Sequence, residues 1–465
     1  MNRRSNHARL PKACLALLIA TATPSILLAQ EPLWGGALVS KIDSLAATTL
    51  SQGPVAALSI GVKRGDHLLL AKGYGEADVE NAVPATAETV YRIGSITKQF
   101  TAAAIMQLVE DGTIGLEDSI ADHLMDYPTQ GHKVTIRHLL THTSGIKSYT
   151  ELEAWRPKMT LDLTDEELLA VFKDEPFDFA PGERFLYNNS AFYMLGMVVG
   201  EAGGTTYREY IDAHLFGPLG LTGSSYCDER PIIPGRAEGY EVVEGQLMND
   251  AYLSMNQPGA AGALCSTVLD LLSWSSALRG GRVVSTASYG QMTTSATLSD
   301  GSSTGYGFGL ELGSLEGNPR VSHGGGINGF NTMLAHYPES DLDVVVLSNT
   351  NGAHPGRIAE TIGKWVHGIE VPVVLDERLT VEQLAAYVGV YEIRPGFELT
   401  VSVRGEQLFA RATGQGEFRL RAQGNHMFIP TFDAAVRVVF AMDGDRAASL
   451  VLHQGGQEVQ GMRVR

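Results

Sequence analysis

The sequence predicts an α/β (α+β) chain: an antiparallel five-stranded sheet flanked by helices, with a long helical region inserted within it, followed by a small all-β, barrel-like domain. Three observations carry that prediction. β-rich apolar runs bracket a long middle segment; the middle repeats its apolar residues at helical spacing; and from about residue 371 the texture changes to short alternating runs. Of the 465 residues, 44% are hydrophobic and 19% charged, a profile that excludes disordered and fibrous chains and supplies a sizeable core.

The N-terminus carries Arg3, Arg4, Arg9 and Lys12, then an apolar run from Ala13 to Ala29, then the polar Gln30-Glu31-Pro32. A cationic start, a short apolar stretch and a small residue at the polar boundary predict a secretory signal peptide over residues 1 to 30, and so a periplasmic or secreted protein. Pro24 argues against the alternative, an uncleaved anchor, and Ala20-Thr21-Ala22 offers a second cleavage point. No apolar stretch of about 18 residues occurs beyond residue 30, which excludes a multi-spanning membrane protein; no stable membrane insertion is expected once the leader is removed. Cys227 and Cys265 alone then remain, free to pair in an oxidising compartment or to persist as two buried thiols.

Beyond the leader, Val55–Val62 and His67–Lys72 around Lys63-Arg64-Gly65-Asp66 predict a β-hairpin. Far downstream, Arg320–Gly325, Phe330–Tyr337 and Asp341–Ser348 predict three more strands. Between them, Ile96, Phe100, Ile105 and Val109 recur at helical spacing, Thr164-Asp-Glu-Glu167 is a capping box, and Ser266-Thr267 opens a helix that Gly280-Gly281 closes. Ile358, Ile362, Trp365 and Val366 mark a closing helix, which ends the main domain near residue 370. Residues 371 to 380 form a connector. From 381 to 465, alternation at Leu399, Val401, Val403, at Val436, Val438, Phe440 and at Leu450, Leu452, with turns at Gly405-Glu406 and Asp443-Gly444, predicts a β meander or barrel.

Charge separates the same two parts. Residues 31 to 380 hold 43 acidic and 22 basic side chains, whereas residues 381 to 465 hold nine of each. Neither part has the basic face that binding nucleic acid or anionic lipid requires. No His-Glu-x-x-His helix or Cys/His cluster has metal-ligand spacing, so neither a metal nor another cofactor is expected.

Three short motifs carry the chemistry. Ser95-Ile-Thr-Lys98 opens the first helix of the inserted region. Residues three apart share a helix face, and a desolvated lysine with a lowered pKa can serve as the base that makes a serine nucleophilic. The motif alone is weak: about 0.6 matches are expected by chance, and a second, Ser144-Gly-Ile-Lys147, lies within a Gly-containing turn at His142–Gly145 that reads as structural. Next comes Tyr187-Asn188-Asn189, a phenol able to shuttle a proton beside an amide able to orient substrate. The third is His323-Gly324-Gly325-Gly326, on a predicted strand whose missing side chains let a substrate backbone lie along the edge. Backbone N–H groups there, with that of Ser95, are placed to form an oxyanion hole.

In this order and spacing the motifs resemble the serine β-lactamase and penicillin-binding-protein family. Tyr-x-Asn is most similar to its class C branch and to the related esterases, D-aminopeptidases and D-alanyl-D-alanine carboxypeptidases. The resemblance spans about residues 40 to 368 and includes Leu139-Leu-Thr-His-Thr-Ser-Gly145, Gly262-Ala-Leu-Cys-Ser-Thr267 and Tyr306-Gly-Phe-Gly309. The tail resembles the lipocalin-like β domain appended to some relatives. The resemblance implies Ser95 as nucleophile, Lys98 and Tyr187 as base and proton relay, Asn189, Gly325 and Gly326 as substrate-binding positions, and the Ser95 and Gly326 N–H groups as oxyanion donors. Where lactamases carry a lysine in the third motif, this chain has His323, whose expected role is a hydrogen bond to the Tyr187 hydroxyl or to substrate. The implied activity is acyl transfer from a small ester or peptide substrate, including D-residue peptides, to water. β-Lactamase or D-alanyl-D-alanine carboxypeptidase proper is the alternative, and a catalytically silent binder of cell-wall fragments the alternative of another class.

Overall fold

The computed structural model describes residues 34–125, 127–371, 377–431, 436–454 and 457–465. The expected leader and residues 372 to 376 of the expected connector lie outside the described residues. The chain divides into two compact units, Met1–Ile369 and Glu370–Arg465.

The first unit opens with helix α1 (Gly35–Gln52), followed by strands β1 (Ala57–Arg64), β2 (His67–Asp78) and β3 (Val83–Pro84). The inserted region contains α2 (Thr97–Glu110), α3 (Asn189–Gly203) and α4 (Val268–Arg279) among shorter helices. Strands β4 (Glu311–Leu315), β5 (Asn318–Ile327), β6 (Phe330–Tyr337) and β7 (Leu342–Ser348) and helix α5 (Pro355–Val366) complete it. The sheet runs β3-β2-β1-β7-β6-β5-β4, so the N-terminal hairpin pairs with the last strand and closes the domain on itself. It has seven strands where the sequence predicts five. The two additions are both edges: β3 has two residues, and β4 exposes most of its side chains, so neither shows the apolar run that marks a buried strand.

Burial follows the sheet's two faces. On β1, Leu58, Ile60 and Val62 pack with Leu38 and Ile42 of α1 and with Ile358 and Ile362 of α5. Val345 and Leu347 of β7 face the other way, into the core shared with the inserted helices. There Phe100 of α2 stacks on Trp274 of α4 with ring centroids 3.8 Å apart, and the Trp274 indole N–H donates to Gln99 Oε1 at 2.9 Å. Thr267 caps α4 by accepting from the Asp270 N–H, and Thr164 closes its capping box with Glu167, both as the sequence indicates. A small sheet of Tyr91–Arg92, Leu264–Ser266 and Ser225–Tyr226 lies beneath the start of α2, and the Cys227–Cys265 disulfide staples it.

The second unit is a closed antiparallel barrel of eight strands, β8 (Gly389–Arg394), β9 (Phe397–Arg404), β10 (Gln407–Ala412), β11 (Glu417–Gly424), β12 (Met427–Pro430), β13 (Arg437–Asp443), β14 (Arg446–Gln454) and β15 (Gln457–Arg463). Pairing of Tyr391 with Arg463 joins the first strand to the last and removes the free edges. Tyr391, Phe428 and Phe440 fill its interior with Leu399, Val401 and Leu408. No helix among the described residues is long and apolar enough to cross a membrane.

Candidate active site

Ser95 and Lys98 are positioned by a tight turn running into a helix. Gly94–Ile96 forms a single 3₁₀ turn that continues into α2. Gly94 has φ +52°, and an added Cβ would lie 3.0 Å from the Gly326 nitrogen, so only glycine brings Ser95 this close to β5. Lys98 is wholly buried. Its Nζ lies 3.1 Å from Ser95 Oγ, 2.9 Å from Asn189 Oδ1 and 2.8 Å from the Ala261 carbonyl oxygen. The Tyr187 ring covers it, with the centroid 4.6 Å from Nζ.

The orientation of those contacts fixes the amine's protonation logic. Asn189 Nδ2 donates to Thr150 Oγ1 at 3.1 Å, which leaves Oδ1 facing Lys98. Asn189 Oδ1 and the Ala261 carbonyl only accept, so they take two N–H bonds from Nζ. Its remaining tetrahedral position faces Ser95. Burial holds the Lys98 pKa well below the ordinary lysine value, and a neutral amine in this frame turns its lone pair toward the Ser95 hydroxyl.

Tyr187 and Asn189 flank the N-terminus of α3, where Asn188 is the cap and accepts from the Ala191 N–H at 2.8 Å. The Tyr187 hydroxyl is buried, adjoins Ser95 and has no conventional hydrogen-bond partner among the described residues. Burial raises its pKa, with the Ser95 hydroxyl pulling the other way. The phenol therefore keeps its proton in the free site.

His323 departs from the sequence reading. Its Nδ1 lies 2.6 Å from the Gly324 carbonyl oxygen, which can only accept, so Nδ1 carries the proton. Its Nε2 then accepts from the Tyr306 hydroxyl at 2.8 Å. Burial lowers the His323 pKa to about 3. Both ring nitrogens are satisfied by the protein, so the expected bond to the Tyr187 hydroxyl is not made. The third motif contributes a neutral, fixed ring instead of a cation.

The glycines after His323 shape the strand edge. At Gly325 a Cβ would meet the Ile93 carbonyl oxygen at 2.0 Å and Thr332 Oγ1 at 2.2 Å. The two-residue turn Asn328-Gly329 closes on the Ile327–Phe330 pair, and hydrogen-bonded pairs alternate from there along an antiparallel ladder. Gly325 therefore bonds to β6, whereas the N–H groups of Gly324 and Gly326 turn to the opposite edge. That edge is free, because the pairing with β4 ends at Ser322. Ser95, Tyr187, Glu311, His323, Gly324–Gly326, Asn331 and His354 together line a pocket of about 530 Å³.

The segment 142–150, whose His142–Gly145 part reads from the sequence as a structural turn, supports the site more closely than that. His142 packs 4.4 Å from the Tyr187 ring and accepts the Asn188 N–H through Nδ1 at 3.1 Å, and Ser148 accepts the Asn189 N–H at 3.3 Å. The second Ser-x-x-Lys match is taken apart: Ser144 Oγ accepts from the Ile146 N–H, and Lys147 pairs with Asp178. Glu311, Tyr306 and Thr150 escaped the sequence reading as site residues. Only Tyr306 carried a signal, as part of Tyr306-Gly-Phe-Gly309. Among the described residues no group of three or more His, Cys, Asp or Glu is placed to hold a metal ion.

Fold and site together define a sheet-and-helix domain in which a buried lysine is set against a helix-terminal serine. The family model described as Beta-lactamase matches residues 42–367, and the chain belongs to that family. Residues 378–463 match a second family, a domain of unknown function (DUF3471). Penicillin-binding protein 4* of Bacillus subtilis is 26% identical over 427 residues, 86% of this chain and 93% of that protein. The octameric penicillin-binding protein homologue from Pyrococcus abyssi is 28% identical with a TM-score of 0.67, covering 91% of this chain and 99% of its own. A D-stereospecific amidohydrolase from Streptomyces is 25% identical with a TM-score of 0.61 over 71% of this chain and 99% of its own. The fold is thus that of the β-lactamase and penicillin-binding-protein-like hydrolases, with a C-terminal β-barrel.

Proposed function

We propose that this chain is a secreted or periplasmic serine hydrolase that cleaves small esters or amides through an acyl-enzyme on Ser95. The observation that carries the reading is the buried Lys98 amine, held by two carbonyl acceptors with its third position 3.1 Å from Ser95 Oγ. Lys98 takes the Ser95 proton as Oγ bonds to the substrate carbonyl carbon. The oxyanion is stabilised by the Ser95 and Gly326 N–H groups, the latter on the free edge of β5. The carbon–leaving-group bond then breaks, and the leaving alcohol or amine takes a proton relayed through Lys98 and the neutral Tyr187 hydroxyl. Water attacks the ester, its proton passes to the same pair, and the Ser95 hydroxyl is restored as the acid departs.

Asn189 holds Lys98 through Oδ1, the free edge at Gly324 and Gly326 receives the substrate backbone while Gly325 bonds to β6, and His323 positions the wall of the pocket through Tyr306. The Cys227–Cys265 bridge supports an oxidising compartment. The D-stereospecific amidohydrolase among the structural relatives supports extending the substrate class to D-residue amides.

The test is a fluorophosphonate label read by peptide mapping in the native chain, in Ser95→Ala and in Ser144→Ala. One adduct on Ser95, lost only in Ser95→Ala, is expected. An adduct on Ser144, or none, sinks the proposal. Rates on a short aryl ester, a D-alanyl anilide and a chromogenic cephalosporin then rank the substrates, and cephalosporin turnover far above the other two reverses the preference for esters and amides.

A further inference from the structure

The charge inside the cleft carries information that the nucleophile does not. Of the residues lining the 530 Å³ pocket, none is Lys or Arg. Its two histidines are neutral near pH 7: burial brings His323 to about 3, and burial with Arg357 beside it lowers His354. The lining contains one carboxylate, Glu311, at the start of edge strand β4 and on the same wall as Tyr187 and His323. Glu311 pairs in register with Ser322, beside His323, so backbone pairing fixes its place in the cleft.

Glu311 has no ion-pair partner within 4 Å among the described residues. Arg320, the cation that acts on it, is drawn to Glu360 at 2.9 Å. The Glu311 side chain is exposed on this edge strand and open to the cleft; partial desolvation raises its carboxyl pKa, while Arg320 and the Ser322 hydroxyl pull it back. A carboxylate without an ion-pair partner among the described residues, on the wall of a cleft lined by no Lys or Arg, attracts ammonium groups and repels carboxylates. The net charge of the whole chain, −17, has the same sign.

We propose that Glu311 is a specificity residue that selects substrates bearing a free ammonium group, as in α-amino amides and α-amino esters, over acylated or carboxylate-bearing ones. This rests on the acyl-transfer reading of the same cleft and adds a substrate class to it. The ammonium binds the Glu311 carboxylate by a charge-assisted hydrogen bond while the scissile carbonyl lies along the β5 edge beside Ser95. β-Lactams and C-terminal carboxylate peptides bring a carboxylate to a wall of the same sign and are repelled.

Equilibrium binding separates this from catalysis. In the full chain carrying Ser95→Ala, phenylalaninamide and N-acetyl-phenylalaninamide, each as D and L forms, are titrated by calorimetry with and without Glu311→Gln. The free amine of the preferred enantiomer is expected to bind about tenfold more tightly than its acetylated counterpart, the effect of one partly solvated charge pair. Glu311→Gln brings that ratio to about one, and Glu311→Lys turns the preference toward N-succinyl-phenylalaninamide. Equal affinity for amine and acetyl forms, no measurable binding of the amine, or a ratio that survives Glu311→Gln overturns the inference. If the ratio behaves as expected while no fluorophosphonate adduct forms on Ser95, the hydrolase reading falls and the Glu311 assignment stands.

Discussion

A methyl group added at Gly325 would sit 2.0 Å from the Ile93 carbonyl oxygen and 2.2 Å from Thr332 Oγ1. Ordinary contact begins about 1.4 Å further out, and the nearer obstacle is main chain, which cannot rotate away. Gly325→Ala must therefore push β5 away from Ile93 or distort the turn at Gly94. Overpacking of this kind costs typically 1–3 kcal/mol, and a backbone obstacle puts the site at the upper end, about 3 kcal/mol. For a domain of this size that is a Tm fall of roughly 4 °C. The displacement falls between Ser95 and the Gly326 N–H, and about 1 Å of misplacement costs on the order of 10²-fold in rate.

The neighbouring glycines supply the controls. A Cβ at Gly324 meets Met333 Cε at 3.5 Å and one at Gly326 meets Asn331 Nδ2 at 3.4 Å, both ordinary contacts. Thermal unfolding of the three alanine variants, with Ser95 labelling rates, should place Gly325→Ala far below the other two in stability. Thr332→Ala should not rescue it, because the Ile93 oxygen remains and the Thr332 hydroxyl bond to that oxygen, 2.9 Å, is lost. A Gly325→Ala protein with native Tm and labelling rate, or rescue by Thr332→Ala, would refute the packing argument.

Two further outcomes follow from burial and from the disulfide. His323 is neutral when folded, with its pKa near 3 against 6.5 unfolded, so the unfolded state binds the proton first as pH falls. Stability is fully present above pH 6.5 and declines by about 1.4 kcal/mol per pH unit toward pH 3; denaturant titrations at pH 7, 6, 5 and 4 should show this slope reduced in His323→Asn, and an unchanged slope rejects the assignment. The Cys227–Cys265 bridge spans 38 residues, and loop-closure entropy assigns it about 4 kcal/mol; Cys227→Ala with Cys265→Ala should lower the denaturation midpoint accordingly, and a midpoint within error of the parent would show that the bridge contributes nothing.

What the sequence disclosed depended on how far each signal reached along the chain. Local periodicity and capping disclosed the helix after Ser95, the Thr164 and Thr267 caps and the five central strands, because those residues carry their own instructions. The edge strands escaped because an exposed edge has no apolar alternation to read, as β3 and β4 show. Ser95, Lys98, Tyr187 and Asn189 were legible as motifs. The support given by His142 and Ser148 was not, since it consists of hydrogen bonds across 41 to 46 residues of sequence. The bond from His323 to the Tyr187 hydroxyl was not realised for the same reason: the sequence shows an imidazole, but its partner is Tyr306, on another segment. Glu311 has no motif, and its meaning lies in a cleft lining that holds no Lys or Arg.

The protonation state of Lys98 yields the last prediction. A buried ammonium needs a counter-charge, and Lys98 has none: its neighbours are a serine hydroxyl, an amide oxygen, a peptide oxygen and aromatic rings. Desolvation alone sets its pKa, downward. If the resting group is a neutral amine, Lys98→Met removes a polar atom and leaves two carbonyls unpaired, at about 1–3 kcal/mol each, offset in part by the apolar fit beside Tyr187 and Phe192. Lys98→Arg instead imposes a cation that cannot be neutralised, at a position whose contacts include no carboxylate, and the effective penalty for a buried unpaired charge is several kcal/mol. The charge-conserving variant should therefore be the less stable of the two in denaturant titrations at pH 7, while both lose Ser95 labelling. Were Lys98 an ammonium at rest, arginine would be the milder change, and a Lys98→Arg protein more stable than Lys98→Met would remove the neutral base on which the proposed proton transfer depends.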